Sequence, residues 1–209
     1  MKRHRSQRGV AVVEAAAVAP VLLLLILATF EFGLFFRDAL TVADAAADGA
    51  RIGAVVGPDL DQASGGNADF VILKSIREAL ASLDPYSIER IVVFKGDSAG
   101  VGAPLEQLTT PCRNGTASAA HRAGRCNIYE DPIAAFAAVQ AGDATYFDCP
   151  GSSVACSYNP ETRDDGPNIA DIDYLGVYVR LNRGSASGIL GGGAIERAAV
   201  VRLEPGLVE

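Results

Sequence analysis

Residues 8–56 read RGVAVVEAAAVAPVLLLLILATFEFGLFFRDALTVADAAADGARIGAVV, and the rest of the 209-residue chain is best understood outward from them. A basic cap (Lys2, Arg3, Arg5, Arg8) ends at Gly9, and an apolar run from Val10 to Phe36 follows, broken only by Glu14 and Glu31. As a helix this run would rise about 40 Å at 1.5 Å per residue, enough to cross a hydrocarbon core of about 30 Å. It is too long for the apolar region of a secretory signal, and Ala43-Asp44-Ala45, which could pass for a cleavage box, lies too far beyond Phe36 and inside a helical pattern. A retained anchor is therefore expected, with Pro20 loosening the helix locally.

The flanks orient the anchor. Positive charge crowds the N-terminal side, whereas Arg37 and Arg51 are diluted by Asp38, Asp44 and Asp48 on the other. The positive-inside rule then places the N-terminus in the cytoplasm and the bulk of the chain outside, as a single-pass protein of the cytoplasmic membrane. Beyond Phe36 the helical pattern continues: Ala39, Val42/Ala43, Ala46/Ala47, Ala50 and Gly53/Ala54 recur at three- and four-residue spacing and give one face of small side chains. Such a face suits close packing, either on the chain's own sheet or between molecules. Gly57-Pro58 should end the element. The expected division is a leader at 1–9, a transmembrane helix at 10–36, an amphipathic extension at 37–57 and an extracytoplasmic α+β domain at 58–209.

A carboxylate inside an apolar run is costly, so both glutamates need a reason. Glu31 lies close enough to the outer end of the run to reach the headgroups. Glu14 stands five residues after Gly9, and cleavage after Gly9 would leave Val10 with a new α-ammonium four residues from it. In a low-dielectric helical array that carboxylate would pair with the amine of its own or a neighbouring chain. Gly9 and Val10 are thus candidate processing residues and Glu14 a candidate assembly residue.

These residues carry a family resemblance. Gly9 followed by Glu14, Ala19-Pro20, the leucine run, Glu31-Phe32-Gly33 and the tail from Ala39-Leu40-Thr41 to Asp48-Gly49-Ala50-Arg51 resemble TadE-like proteins, the minor pilin-type (pseudopilin) components of Tad, or Flp, type IV pilus machinery. Asp173–Arg180 and Val201–Pro205 look like the ectodomains of actinobacterial members. Two positions depart from the family's habit: Ala15 where an aromatic often follows the glutamate, and Leu34 after Glu-Phe-Gly. The resemblance implies cleavage between Gly9 and Val10 by a prepilin peptidase, assembly guided by Glu14, and other Tad pilins, the pilus assembly machinery and membrane lipid as partners.

The remaining sequence suggests a pilin-like α+β plan, a long N-terminal helix on a small antiparallel sheet with a disulfide-stapled irregular region. Apolar spacing at Phe70, Ile72/Leu73, Ile76, Leu80 and Leu83 predicts a helix ended by Asp84-Pro85. Strands are expected at Ile88–Lys95, Tyr174–Leu181 and Ala194–Leu203. Residues 97–170 are rich in Gly, Pro, Asn, Ser and Cys and read as an irregular excursion, with a short helix at Pro132–Gln140. So long a loop needs a staple, which Cys112, Cys126, Cys149 and Cys156 provide in an exported domain. Three pairings are open; the sequence-local one, Cys112–Cys126 with Cys149–Cys156, is favoured. The spacing does not match zinc knuckles.

Nothing in the sequence supports catalysis or a cofactor. His4 belongs to the leader and His121 to the cysteine loop, and no G-x-S-x-G, H-E-x-x-H or Walker A pattern occurs. Asp164, Asp165, Asp171 and Asp173 match no EF-hand spacing and read as solvated loop charges, so no metal is expected. A net charge of −7, which becomes −11 without the four positive charges of the leader, disfavours nucleic acid as a partner. The alternative to a pilus component is a membrane-anchored extracytoplasmic binding or sensing module, for which Glu14 would be dispensable.

Overall fold

The computed structural model describes residues 7–57, 67–97, 104–116, 123–148, 155–160, 163–164, 166, 172–184 and 192–204. Its longest element, α1 (Gln7–Val56), is a single helix, so the anchor and the amphipathic extension are one continuous rod. Pro20 sits within it. Gly57, at φ 56°, closes it by donating its N–H to the Gly53 carbonyl at 3.1 Å, a left-handed ending that glycine adopts without steric cost.

A second helix, α2 (Ala68–Ala79), starts where Asn67 accepts the Asp69 N–H, with Asp69 in the first turn and Arg77 in the last to complement the helix dipole. Asn67 also donates to the Phe147 carbonyl at 2.7 Å, which ties the cap to a distant turn. The chain then turns through a short 3-10 segment at Pro85–Ser87 into strand β1 (Ile88–Gly96). Short helices α3 (Pro104–Gln107) and α4 (Thr110–Asn114) precede β2 (Cys126–Tyr129). Helix α5 (Pro132–Ala141) follows, with Asp131 capping the Ala134 N–H and Gly142 at its left-handed end. Strands β3 (Tyr174–Arg183) and β4 (Gly193–Arg202) complete the fold.

The sheet is antiparallel with order β2-β1-β3-β4, so four strands replace the three expected. Residues alternate between its faces. Ile91, Val93, Leu175, Val177, Val179, Leu181 and Ile195 point toward α1 and α2 and form the main core with Val42, Ala46, Ala50, Ile72 and Ile76. Val92, Phe94, Ile128 and Tyr178 point the other way and are covered by Leu108 and the Cys112–Cys126 pair. That disulfide joins α4 to β2 and clamps the 104–116 segment onto the sheet. In a chain-entropy account, closing a loop of this size stabilises the fold by about 3 kcal/mol. Cys149 and the side chain of Cys156 lie outside the described residues, as does His121.

The small-residue face of α1 packs inside its own domain. A Cβ on Gly49 would stand 2.7 Å from Ile76 Cγ1, and one on Gly53 2.7 Å from Leu175 Cδ2 and 2.8 Å from Ile72 Cδ1. The glycines therefore let the helix approach both the sheet and α2. The buried stripe includes Ala45 as well, while Ala43 and Ala47 are half-buried at its margin.

Candidate functional site: the apolar half of the long helix

The first half of α1 has no counterpart in the fold. From Gly9 to Phe30 every residue is exposed, and large apolar side chains surround the helix, Val21, Leu22, Leu23, Leu24, Leu25 and Ile26 among them. By length and composition the helix can cross a membrane, and its most apolar window is entirely outside the core, unlike a core helix of a soluble protein. Backbone donors and acceptors within a helix satisfy one another, so the rod needs no partner for its peptide groups in lipid. Thr29 returns its hydroxyl to the Leu25 carbonyl at 2.8 Å, so that side chain too finds its partner within the helix.

Gly9, Val10 and Glu14 are all exposed on this rod near its N-terminal end. Nothing lies within 4 Å of where a Gly9 side chain would be, so packing within the chain does not require glycine there. Val10 and Glu14 are one helical turn apart on the same face, about 6 Å along the axis. The leader residues 1–6 and the side chains of Gln7 and Arg8 lie outside the described residues.

Glu31 differs from expectation. Instead of reaching outward it is only 8% exposed, while Phe30 and Phe32 on either side are 65% and 69% exposed. Seven residues later Asp38, also buried, receives Arg37 at 2.9 Å and Arg183, from the end of β3, at 2.8 Å. The sequence suggested only a charged flank here. Its one signal was a carboxylate directly after the apolar run, and the arginine that answers it is 145 positions away.

A second polar cluster that the sequence gave no reason to assemble fixes α2 and, through it, the domain-bound half of α1. Asp69 and Arg163 are both fully buried and joined at 2.5 Å. The other Asp69 oxygen accepts from Asn127 at 2.7 Å and from the Tyr129 hydroxyl at 2.8 Å. Asn127 also brackets Tyr158, accepting its N–H at 2.6 Å and donating to its carbonyl at 2.8 Å, and the Arg163 guanidinium lies 4.6 Å from the Tyr158 ring centre. Burial, and next the charge of Asp69, push the Tyr129 hydroxyl well above its ordinary value; burial pushes up Tyr158 too. Held neutral, Tyr129 acts as a structural donor to Asp69, and Tyr158 offers its ring to Arg163.

On the opposite sheet face Glu196 bonds Arg113 and, at 3.0 Å, Arg180, which also reaches Glu89 at 2.8 Å. Burial works against the Glu196 carboxylate, but the bonded Arg113 and the charge of Arg180 outweigh it and lower its pKa. Of the four aspartates singled out in the sequence, Asp173 pairs with Lys95 at 2.5 Å and accepts the Asp164 N–H at 3.3 Å. Asp165 and Asp171 lie outside the described residues. Among the described residues no group of three His, Cys, Asp or Glu is placed to hold a metal ion.

The polar clusters thus brace the domain, and the apolar half of α1 is left as the part of the fold that asks for a different environment. No curated protein and no solved structure matches the chain, so identification rests on the helix itself. Residues 9–51, spanning both halves of α1, match the model of the TadE-like protein family.

Proposed function

We propose that this protein is a minor pilin-type component of a Tad (Flp) pilus, held in the cytoplasmic membrane by residues 10–36 until it enters or primes the filament. Residues 1–9 are the cytoplasmic leader and residues 58–209 the extracytoplasmic domain. A prepilin peptidase cuts after Gly9, and Glu14 then pairs with the α-ammonium of Val10 in its own or an adjoining chain. The domain meets the other pilins and the assembly machinery, and contributes to biogenesis or adhesion. The reading is carried by one coincidence: the family match at residues 9–51 covers the same helix whose apolar half has no partner in the fold.

The test is mass spectrometry of the mature N-terminus from the native host, together with pilus counts for Glu14→Ala. A chain beginning at Val10, with piliation lost in the variant, is the expected result. An N-terminus upstream of Gly9 with unchanged piliation in Glu14→Ala overturns the proposal and favours a membrane-anchored binding module.

A further inference from the structure

We infer that the domain does not hang free above the membrane but seats on it, with the corner around Tyr86 and its neighbouring apolar groove resting on lipid. This inference rests on the proposed membrane span of α1.

The register of the sheet fixes which end of the domain faces the membrane. Helix α1 meets Leu175 at Gly53 and Val177 at Gly49, and β3 then runs back along it until Arg183 reaches Asp38. The end of β3 is therefore the end from which the apolar half of α1 departs. Ile88 pairs with Leu181, so β1 begins at that same end. Two strand residues, at about 3.3 Å each, separate the level of Leu181 from that of Arg183. Tyr86 precedes Ile88 by two residues, which brings it within about 7 Å of the level of Asp38 along the helix axis.

Tyr86 is 83% exposed, although it follows a proline in a capped turn and is flanked by core residues Leu83 and Ile88. Beside it opens a groove of about 570 Å³ between the end of α2 and α5, lined by Leu80, Leu83, Ile133 and Phe136, with Arg77 and Glu78 also in its wall. A solvent-facing tyrosine beside an apolar hollow has no role in this fold. At a membrane interface it is ordinary, because the ring sits among acyl chains and the hydroxyl among headgroups. The surface belongs to the chain that α1 would anchor, so reaching lipid requires no second binding event.

The chain contains no tryptophan, which makes single reporters clean. Three full-length variants, Leu24→Trp, Tyr86→Trp and Val55→Trp, are reconstituted in phosphatidylcholine vesicles without bromine, with bromine on the acyl chains near the headgroup, or with bromine deep on the acyl chains to read Leu24→Trp. All three positions are exposed, so the substitutions leave the core intact. Leu24→Trp reports insertion of α1, and Val55→Trp stands about 25 Å beyond Asp38 as the distal control. Seating on lipid predicts that bromine quenches Tyr86→Trp by about half, as befits an interfacial aromatic, while Val55→Trp is unchanged. If Leu24→Trp is quenched and Tyr86→Trp behaves like Val55→Trp, seating is overturned and the span survives. If Leu24→Trp is not quenched, both fall. A Tyr86→Trp emission that shifts to the blue with protein concentration, with no response to bromine, overturns the inference in favour of a second copy in the groove.

Discussion

The two halves of α1 share one unbroken backbone and meet opposite fates. Residues 9–30 carry large apolar side chains on all sides and are exposed throughout. Residues 38–56 place small side chains on one face and bury it against α2 and the sheet. The difference is one of size and distribution. A helix that is apolar all round has no outer face to leave in water, so it asks for lipid or other helices. A helix with a small-residue stripe comes close enough to a sheet for short side chains to be covered by Ile72, Ile76, Leu175 and Val177 reaching across.

The largest expected effect removes what holds the second half's partner. Arg163→Met strands the fully buried Asp69 carboxylate and should cost about 3–5 kcal/mol of domain stability, read by denaturant unfolding of the full chain in detergent. Amides of residues 38–56 should then lose hydrogen-exchange protection relative to those of 10–30. Adding Asp69→Asn should recover part of the loss, since the stranded charge is gone. A change in unfolding below about 0.5 kcal/mol would mean the cluster does not brace α2.

Next comes a pair of glycines. Gly53→Val drives methyl groups into Leu175 and Ile72 and should lower stability by about 1–3 kcal/mol. Gly33→Val, with nothing within 4 Å, should leave domain unfolding within about 0.5 kcal/mol of the parent. Equal effects at the two sites would erase the distinction between the halves. At the junction, Asp38→Ala leaves Arg183 short of its partner and should cost about 1–2 kcal/mol.

The smallest effects are in pH. Glu196 has a lowered pKa when folded, so its contribution is complete above its ordinary value of 4.5 and fades as pH falls through the lowered one. Tyr129 and Tyr158 are raised, so their contribution is complete below the ordinary 10.0 and declines as pH climbs beyond it. A titration of melting temperature should therefore fall at both ends, and Tyr129→Phe should soften the alkaline limb.

How much of this was readable in the sequence follows the range of the interactions. The helix, α2, α5 and strands β1, β3 and β4 announce themselves through local periodicity and caps, within a residue or two for the strands. Strand β2 does not. It has four residues, and all four are buried because Asn127 and Tyr129 serve the Asp69 cluster while Cys126 and Ile128 serve the other face. No alternation survives when both faces are covered. The Asp69–Arg163 and Asp38–Arg183 pairs join residues 94 and 145 positions apart, and nothing local marks either partner. Glycine gave a mixed signal: Gly53 is needed for close approach, and Gly176 leaves room for the Phe94 ring across the strand pair, yet no composition separates these from Gly33.

Because α1 passes from its apolar half to its domain-bound half without a break, the azimuth of the domain is tied to the phase of the helix. Each residue of an α-helix advances about 100° and 1.5 Å. Inserting one alanine between Phe32 and Phe36 would keep the composition and the span nearly unchanged while swinging the whole domain by about a quarter turn. Inserting four would restore its heading to within about 40° and lift it by about 6 Å. The helix thus works as an indexing shaft, setting by residue count alone which side of the domain faces a neighbour.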